Sequence, residues 1–143
     1  MPSVKPYSVV AATLAVDRMT HDGALTVLNR AAGIAVTLPA ATGTGAVYEF
    51  MIGTTITSNS TTIKVANSID VMSGTAINAQ DGGDTAIAFE TAVDSDTITL
   101  NGTTTGGIKG DRIKLVDAAS GLWAVNVVGS ATGAEVTPFS ATV

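Results

Sequence analysis

A single histidine, His21, stands between Asp17 and Asp22 and among many Ser and Thr residues, and acid–base chemistry would have to begin there. A nucleophilic triad needs a base, an acid that orients it and a hydroxyl held against it. One His in the polar corner Asp17–Gly23 carries no spacing signal for the other two, so it reads as a solvated loop residue. Carboxylates come in pairs at Asp81/Asp84, Asp94/Asp96 and Asp111/Asp117. Such pairs can serve glycoside hydrolysis or hold Ca2+ through oxygen ligands. Each lies beside Gly or Ser at a turn, where Asp is favoured because its side chain bonds nearby backbone groups. The segment Thr42-Gly43-Thr44-Gly45 has the glycines of a phosphate cradle, but it lacks the GK[ST] ending and leads into no helix. The absence of cysteine excludes disulfides, zinc–thiolate sites and thiol catalysis. The reading is a protein with no catalytic residue, no cofactor and no metal site, and not an enzyme.

Aromatic and basic residues are the remaining chemistry. Trp123, Tyr48, Phe50 and Phe89 could line a sugar-binding face, yet at alternating strand positions they read as core. The basic residues are scattered, and only Lys109, Arg112 and Lys114 fall close together, with Asp111 and Asp117 beside them. Phosphate binding draws its affinity from clustered Lys and Arg. A net charge of −5 with so weak a patch predicts no nucleic-acid partner. The apolar run Ser8–Val16 is far short of the ~20 residues that cross a bilayer, so no membrane partner is expected. Pro6 and Tyr7 interrupt the approach to that run, and no small-residue cleavage site closes it, which argues against a secretory leader.

The elements that must position these residues are strands. At 143 residues the chain suits one domain with a sizeable core. Ala46–Ile52 alternates with Tyr48, Phe50 and Ile52 on the inner face, and Thr61–Ala66 turns Ile63 and Val65 inward. Thr85–Thr91 places Phe89 inward, Thr97–Leu100 places Ile98 and Leu100, and Asp111–Asp117 places Leu115. Leu122–Val128 carries Trp123 and Val125 on one face. Shorter runs lie at Val9–Val16, Ala24–Leu28, Ile34–Leu38, Ile69–Met72, Thr75–Ala79 and around Phe139. Asn101-Gly102 is the strongest hairpin signal, because both residues tolerate positive φ. About ten short strands with Gly, Pro and Asn between them predict an all-β fold, a single-domain β-sandwich or jelly-roll-like barrel. Residues 1–20, with prolines at Pro2 and Pro6, read as an extended N-terminal arm or a first strand ahead of a domain over 21–143. Only 13% of residues are charged and 4% aromatic, which predicts a surface of small neutral groups buried against further copies.

Four segments carry a resemblance: TLPAATGTGAVYEFMIGTTITSNSTTIKVAN at 37–67, DVMSG at 70–74, SDTITLNGTTTGGIKGDRIKLVDAASGLWAV at 95–125 and ATGAEVTPFSAT at 131–142. Together they resemble small head structural proteins of tailed bacteriophages, many of them marine or cyanobacterial, that act as capsid decoration (cement) proteins. The matching positions, Leu38-Pro39-Ala40-Ala41, Asn101-Gly102, Gly121-Leu122-Trp123 and Thr137-Pro138-Phe139, are turns and core. The resemblance implies a trimer on the outer surface of the virion capsid, bridging subunits of the major capsid protein. The resemblance is weakest over about the first 30 residues and supplies no contact residues. The proline and apolar side chains of Val4–Leu14 themselves predict a contact element, with Val4, Tyr7, Val9, Val10 and Leu14 as anchors to the capsid or to a neighbouring subunit. The competing expectation is a head-fibre or tail-fibre module that binds host glycans.

Overall fold

In a computed structural model, which describes residues 5–143, the chain is a sandwich of two open sheets. The strands are β1 (Tyr7–Val9), β2 (Thr13–Ala15), β3 (Leu25–Leu28), β4 (Ala35–Thr37), β5 (Val47–Ile52) and β6 (Thr61–Lys64). They continue as β7 (Val71–Gln80), β8 (Ala86–Glu90), β9 (Thr97–Leu100), β10 (Arg112–Ala119), β11 (Leu122–Ala131) and β12 (Phe139–Ser140). One helical turn, α1 (Arg18–His21), interrupts them. A seven-stranded sheet runs β1-β3-β5-β10-β11-β7-β8, and a five-stranded sheet runs β12-β9-β6-β4-β2. Neither sheet closes into a barrel.

The first six strands alternate between the two sheets, so that β1, β3 and β5 pair in parallel in one and β2, β4 and β6 in the other. The chain thus begins as a flat coil. From β7 onward antiparallel pairs dominate: β10 lies between β5 and β11, β9 lies between β6 and β12, and β8 closes the edge against β7. One parallel pair, β7 with β11, remains. Parallel strands need crossover connections, and among the first six strands each crossover passes through a strand of the opposite sheet, whereas β7 reaches β11 through β8, β9 and β10.

Side chains at every second position fill the space between the sheets, because strand residues alternate between faces. Tyr48, Phe50, Ile52, Ile113, Leu115, Trp123 and Val125 enter from the larger sheet, and Val36, Ile63, Ile98 and Leu100 from the smaller. Tyr48 and Trp123 pack with ring centroids 5.8 Å apart. Each such burial contributes roughly 1.5–3 kcal/mol against an exposed reference.

Several expectations change at the level of elements. Val9–Val16 is not one strand, and residues 7–15 do not form a free arm. They bend at Ala11 and Ala12, sending β1 to the edge of one sheet and β2 to the edge of the other. The boundary at 20/21 falls inside α1, whose N-cap Asp17 accepts a hydrogen bond from the Thr20 N–H at 2.8 Å. Ile69–Met72 and Thr75–Ala79 merge into one long β7 that passes through Gly74. A side chain there would sit 1.8 Å from the Val125 carbonyl oxygen, so only glycine lets β7 and β11 approach. Asn101-Gly102 makes no hairpin. The Asn101 Oδ1 accepts from the Thr103 and Thr105 N–H groups, a local turn that carries the chain from β9 across to the other sheet. Phe89 lies on the edge strand β8 and is only partly buried against the core, since the narrower sheet leaves that edge partly uncovered.

Candidate functional site

His21 is buried, at 3% exposure, rather than solvated. The single turn of α1 rolls its ring inward, where Nδ1 accepts the Asp17 backbone N–H at 3.0 Å and the ring meets Tyr7 edge-on at 5.3 Å. Its Nε2 has no hydrogen-bond partner among the described residues. Among the described residues no Ser or Thr hydroxyl is hydrogen-bonded to this imidazole, and no triad arrangement forms around it there. The Asp17 carboxyl is held below the ordinary range, first by the Thr20 backbone N–H and then by the Thr20 hydroxyl.

Of the paired carboxylates, the buried members hold loops and the last residues. Asp117, on β10, faces the Thr42–Gly45 loop. Its Oδ1 accepts the N–H groups of Thr42 and Gly43 at 3.0 and 2.7 Å, and its Oδ2 accepts the Thr44 N–H and hydroxyl at 3.2 and 2.7 Å. The glycine-bearing loop does form an anion cradle, and the chain's own carboxylate occupies it. Burial opposes ionisation of Asp117, but the Thr44 hydroxyl and the three backbone donors outweigh it and hold the carboxyl below the usual range.

Asp111, its sequence partner, anchors a different loop. It accepts the N–H groups of Gly107, Ile108 and Ser130 at 2.8, 3.1 and 3.0 Å. Burial dominates there and pushes the carboxyl up despite those donors. Asp96 accepts the Thr142 and Val143 N–H groups and the Thr97 hydroxyl, tying the last residues to β9. Burial opposes its ionisation too, yet those donors and the Lys64 charge hold it low. Asp70 receives the Ala41 N–H at 2.8 Å. Asp81, Asp84 and Asp94 are exposed in turns. Among the described residues no three His, Asp or Glu side chains converge as metal ligands.

The sequence signals left these anchoring roles unread. A turn Asp and a loop-tying Asp have the same neighbours in sequence, and Asp117 and the N–H groups it holds are about 75 positions apart. Tyr48, Phe50 and Trp123 lie in the core and Phe139 is buried, so of the aromatic rings only Tyr7 is exposed. Arg112 pairs with Glu49 at 3.1 Å on the outer face of the larger sheet, and Lys114 shares that face. Lys109 stands apart in the preceding loop.

The expected contact segment divides. Val4 lies outside the described residues. Val9 is buried and Leu14 packs partly against the core, whereas Tyr7 and Val10 point outward at 48% and 67% exposure. These two outward side chains border a shallow groove of about 330 Å3 along the edge formed by β1 and β2. Among the described residues no helix is long and apolar enough to cross a membrane. No protein-family model, curated protein or solved structure matches this chain.

Proposed function

We propose that the chain is a non-enzymatic virion structural protein, a capsid decoration (cement) protein. It binds the outside of a phage head as a trimer and stabilises the shell by bridging subunits of the major capsid protein. The observation that carries this reading is the use of the polar residues. Asp70, Asp96, Asp111 and Asp117, the buried carboxylates, are spent on holding loops and the last residues to the sandwich. What remains outside is a broad surface of small and hydroxyl-bearing side chains, suited to many weak contacts that sum to avidity on a lattice. The resemblance of residues 37–67 and 95–125 to phage head proteins supplies the partner. Tyr7 and Val10, at the β1/β2 edge, are the contact residues in this reading.

Co-sedimentation of the purified protein with expanded heads that lack it tests the proposal. Saturable pelleting is expected, together with greater resistance of the heads to heat. Tyr7→Ala combined with Val10→Ser should weaken pelleting by roughly ten-fold, the loss of two apolar contacts per copy. Absence of pelleting in mild salt overturns the reading and redirects the search to cell-surface glycans.

A further inference from the structure

The outward face of the larger sheet carries a charge pattern that a second copy of the same face would satisfy. Cross-strand register lines up Lys114, Asn126, Thr75 and Glu90 as one row over β10, β11, β7 and β8. In the next row Val128 and Ile77 stand side by side at the centre, at 62% and 46% exposure. All six are exposed, alternating with core-facing residues such as Leu115 and Val127. Glu49 on β5 continues the polar row beside Lys114, and its carboxylate pairs with Arg112 at 3.1 Å on the same face. Lys114 and Glu90, at the two ends of the stretch of the row from β10 to β8, have no ion-pair partner among the described residues of their own chain. Over the four strands from β10 to β8 the row therefore reads positive, polar, polar, negative.

We propose that two copies of the chain meet through this face about a two-fold axis that runs along the strands between β11 and β7. Such a rotation keeps every residue in its own row and exchanges β10 with β8 and β11 with β7. Lys114 then lies over Glu90 of the second copy, and Glu90 over the second copy's Lys114, so that one geometry makes both ion pairs. Asn126 faces Thr75, and Val128 faces Ile77 of the other copy. Sheets pack about 10 Å apart, a gap that Lys and Glu side chains span from opposite sides. Four strands of this length offer on the order of 500 Å2 per copy, at the lower limit for a specific interface, so the dimer is weak and concentration-dependent. An isologous contact joins two copies and cannot close a ring of three. It goes beyond the decoration reading: where that reading holds, the contact links copies that belong to neighbouring trimers.

Sedimentation equilibrium of the full chain over a range of concentrations is the test, and it needs no capsid, so its failure is distinct from failure of the decoration role. The mass of the smallest species should double as concentration rises, and added salt should oppose the doubling. Lys114→Glu and Glu90→Lys each place like charges over one another twice per dimer and should lower the association constant by roughly ten-fold or more. The combined variant K114E/E90K exchanges the signs and should restore it. Val128→Asn, which leaves the charges alone, should also weaken association. Far-ultraviolet circular dichroism confirms that each variant is folded. A wild-type chain that never doubles, or a double charge swap as weak as its single parents, overturns the proposal.

Discussion

Asp117 shows how much one residue carries in this protein. Its carboxylate satisfies the backbone of Thr42, Gly43 and Thr44 from a strand that the sequence places far away. Asn in its place keeps the shape but turns one acceptor into a donor facing N–H groups. We expect Asp117→Asn to cost about 2–3 kcal/mol in denaturant unfolding at neutral pH. Asp111→Asn should cost less, because replacing a carboxylate whose ionisation burial opposes also removes a desolvation penalty.

The pH dependence follows from the same groups. Asp117 and Asp96 ionise more readily in the folded chain than in the unfolded one. Their contribution is complete above the ordinary carboxylate range, about pH 4, and is lost as pH falls through their depressed folded values. Asp111, pushed the other way, contributes with the opposite sign and favours the folded chain as it protonates. Unfolding free energy measured from pH 7 down to 2 should therefore decline in acid, and the decline should be shallower in Asp117→Asn. Equal slopes for the two proteins would show that Asp117 does not titrate with folding.

At the scale of elements, the parallel β7–β11 pair is held at close range by a missing side chain. A Cβ at Gly74 would lie 1.8 Å from the Val125 carbonyl oxygen, and backbone cannot yield as a flexible side chain can. Gly74→Ala should destabilise by about 3 kcal/mol or prevent folding, the cost of overpacking at a rigid neighbour. Gly82→Ala, in the β7–β8 turn with nothing within 4 Å of the added carbon, should stay within about 0.5 kcal/mol of the parent. Thermal melts of the pair distinguish a local steric effect from a general intolerance of side chains at glycine positions. Strand positions were legible because β-branched and apolar residues alternate, and β5, β6 and β9 fall close to where that alternation puts them. The split of Val9–Val16 was not, since Val10, Ala11 and Ala12 continue the composition of a strand while the backbone turns between sheets.

At the scale of the molecule, the coiled first half and the antiparallel second half share both sheets. β5 pairs with β10, and β6 with β9, so neither half has a core of its own. The chain should unfold in one cooperative step, with Trp123 fluorescence and far-ultraviolet circular dichroism giving coincident denaturation curves. Separate transitions would mean that the halves are independent. Long-range strand pairing also puts refolding in the millisecond-to-second range typical of such topologies.

The sequence by itself determined the all-β class, the inward faces around Tyr48, Ile63, Leu100 and Trp123, and the polar turns, because alternation and turn chemistry act between near neighbours. Tertiary structure alone decided which strands pair, that the first six wind in parallel, that His21 is buried, and that the Thr42–Gly45 cradle holds Asp117. Those outcomes depend on contacts between residues far apart in the chain, and a strand's residues look the same whichever neighbour its backbone bonds.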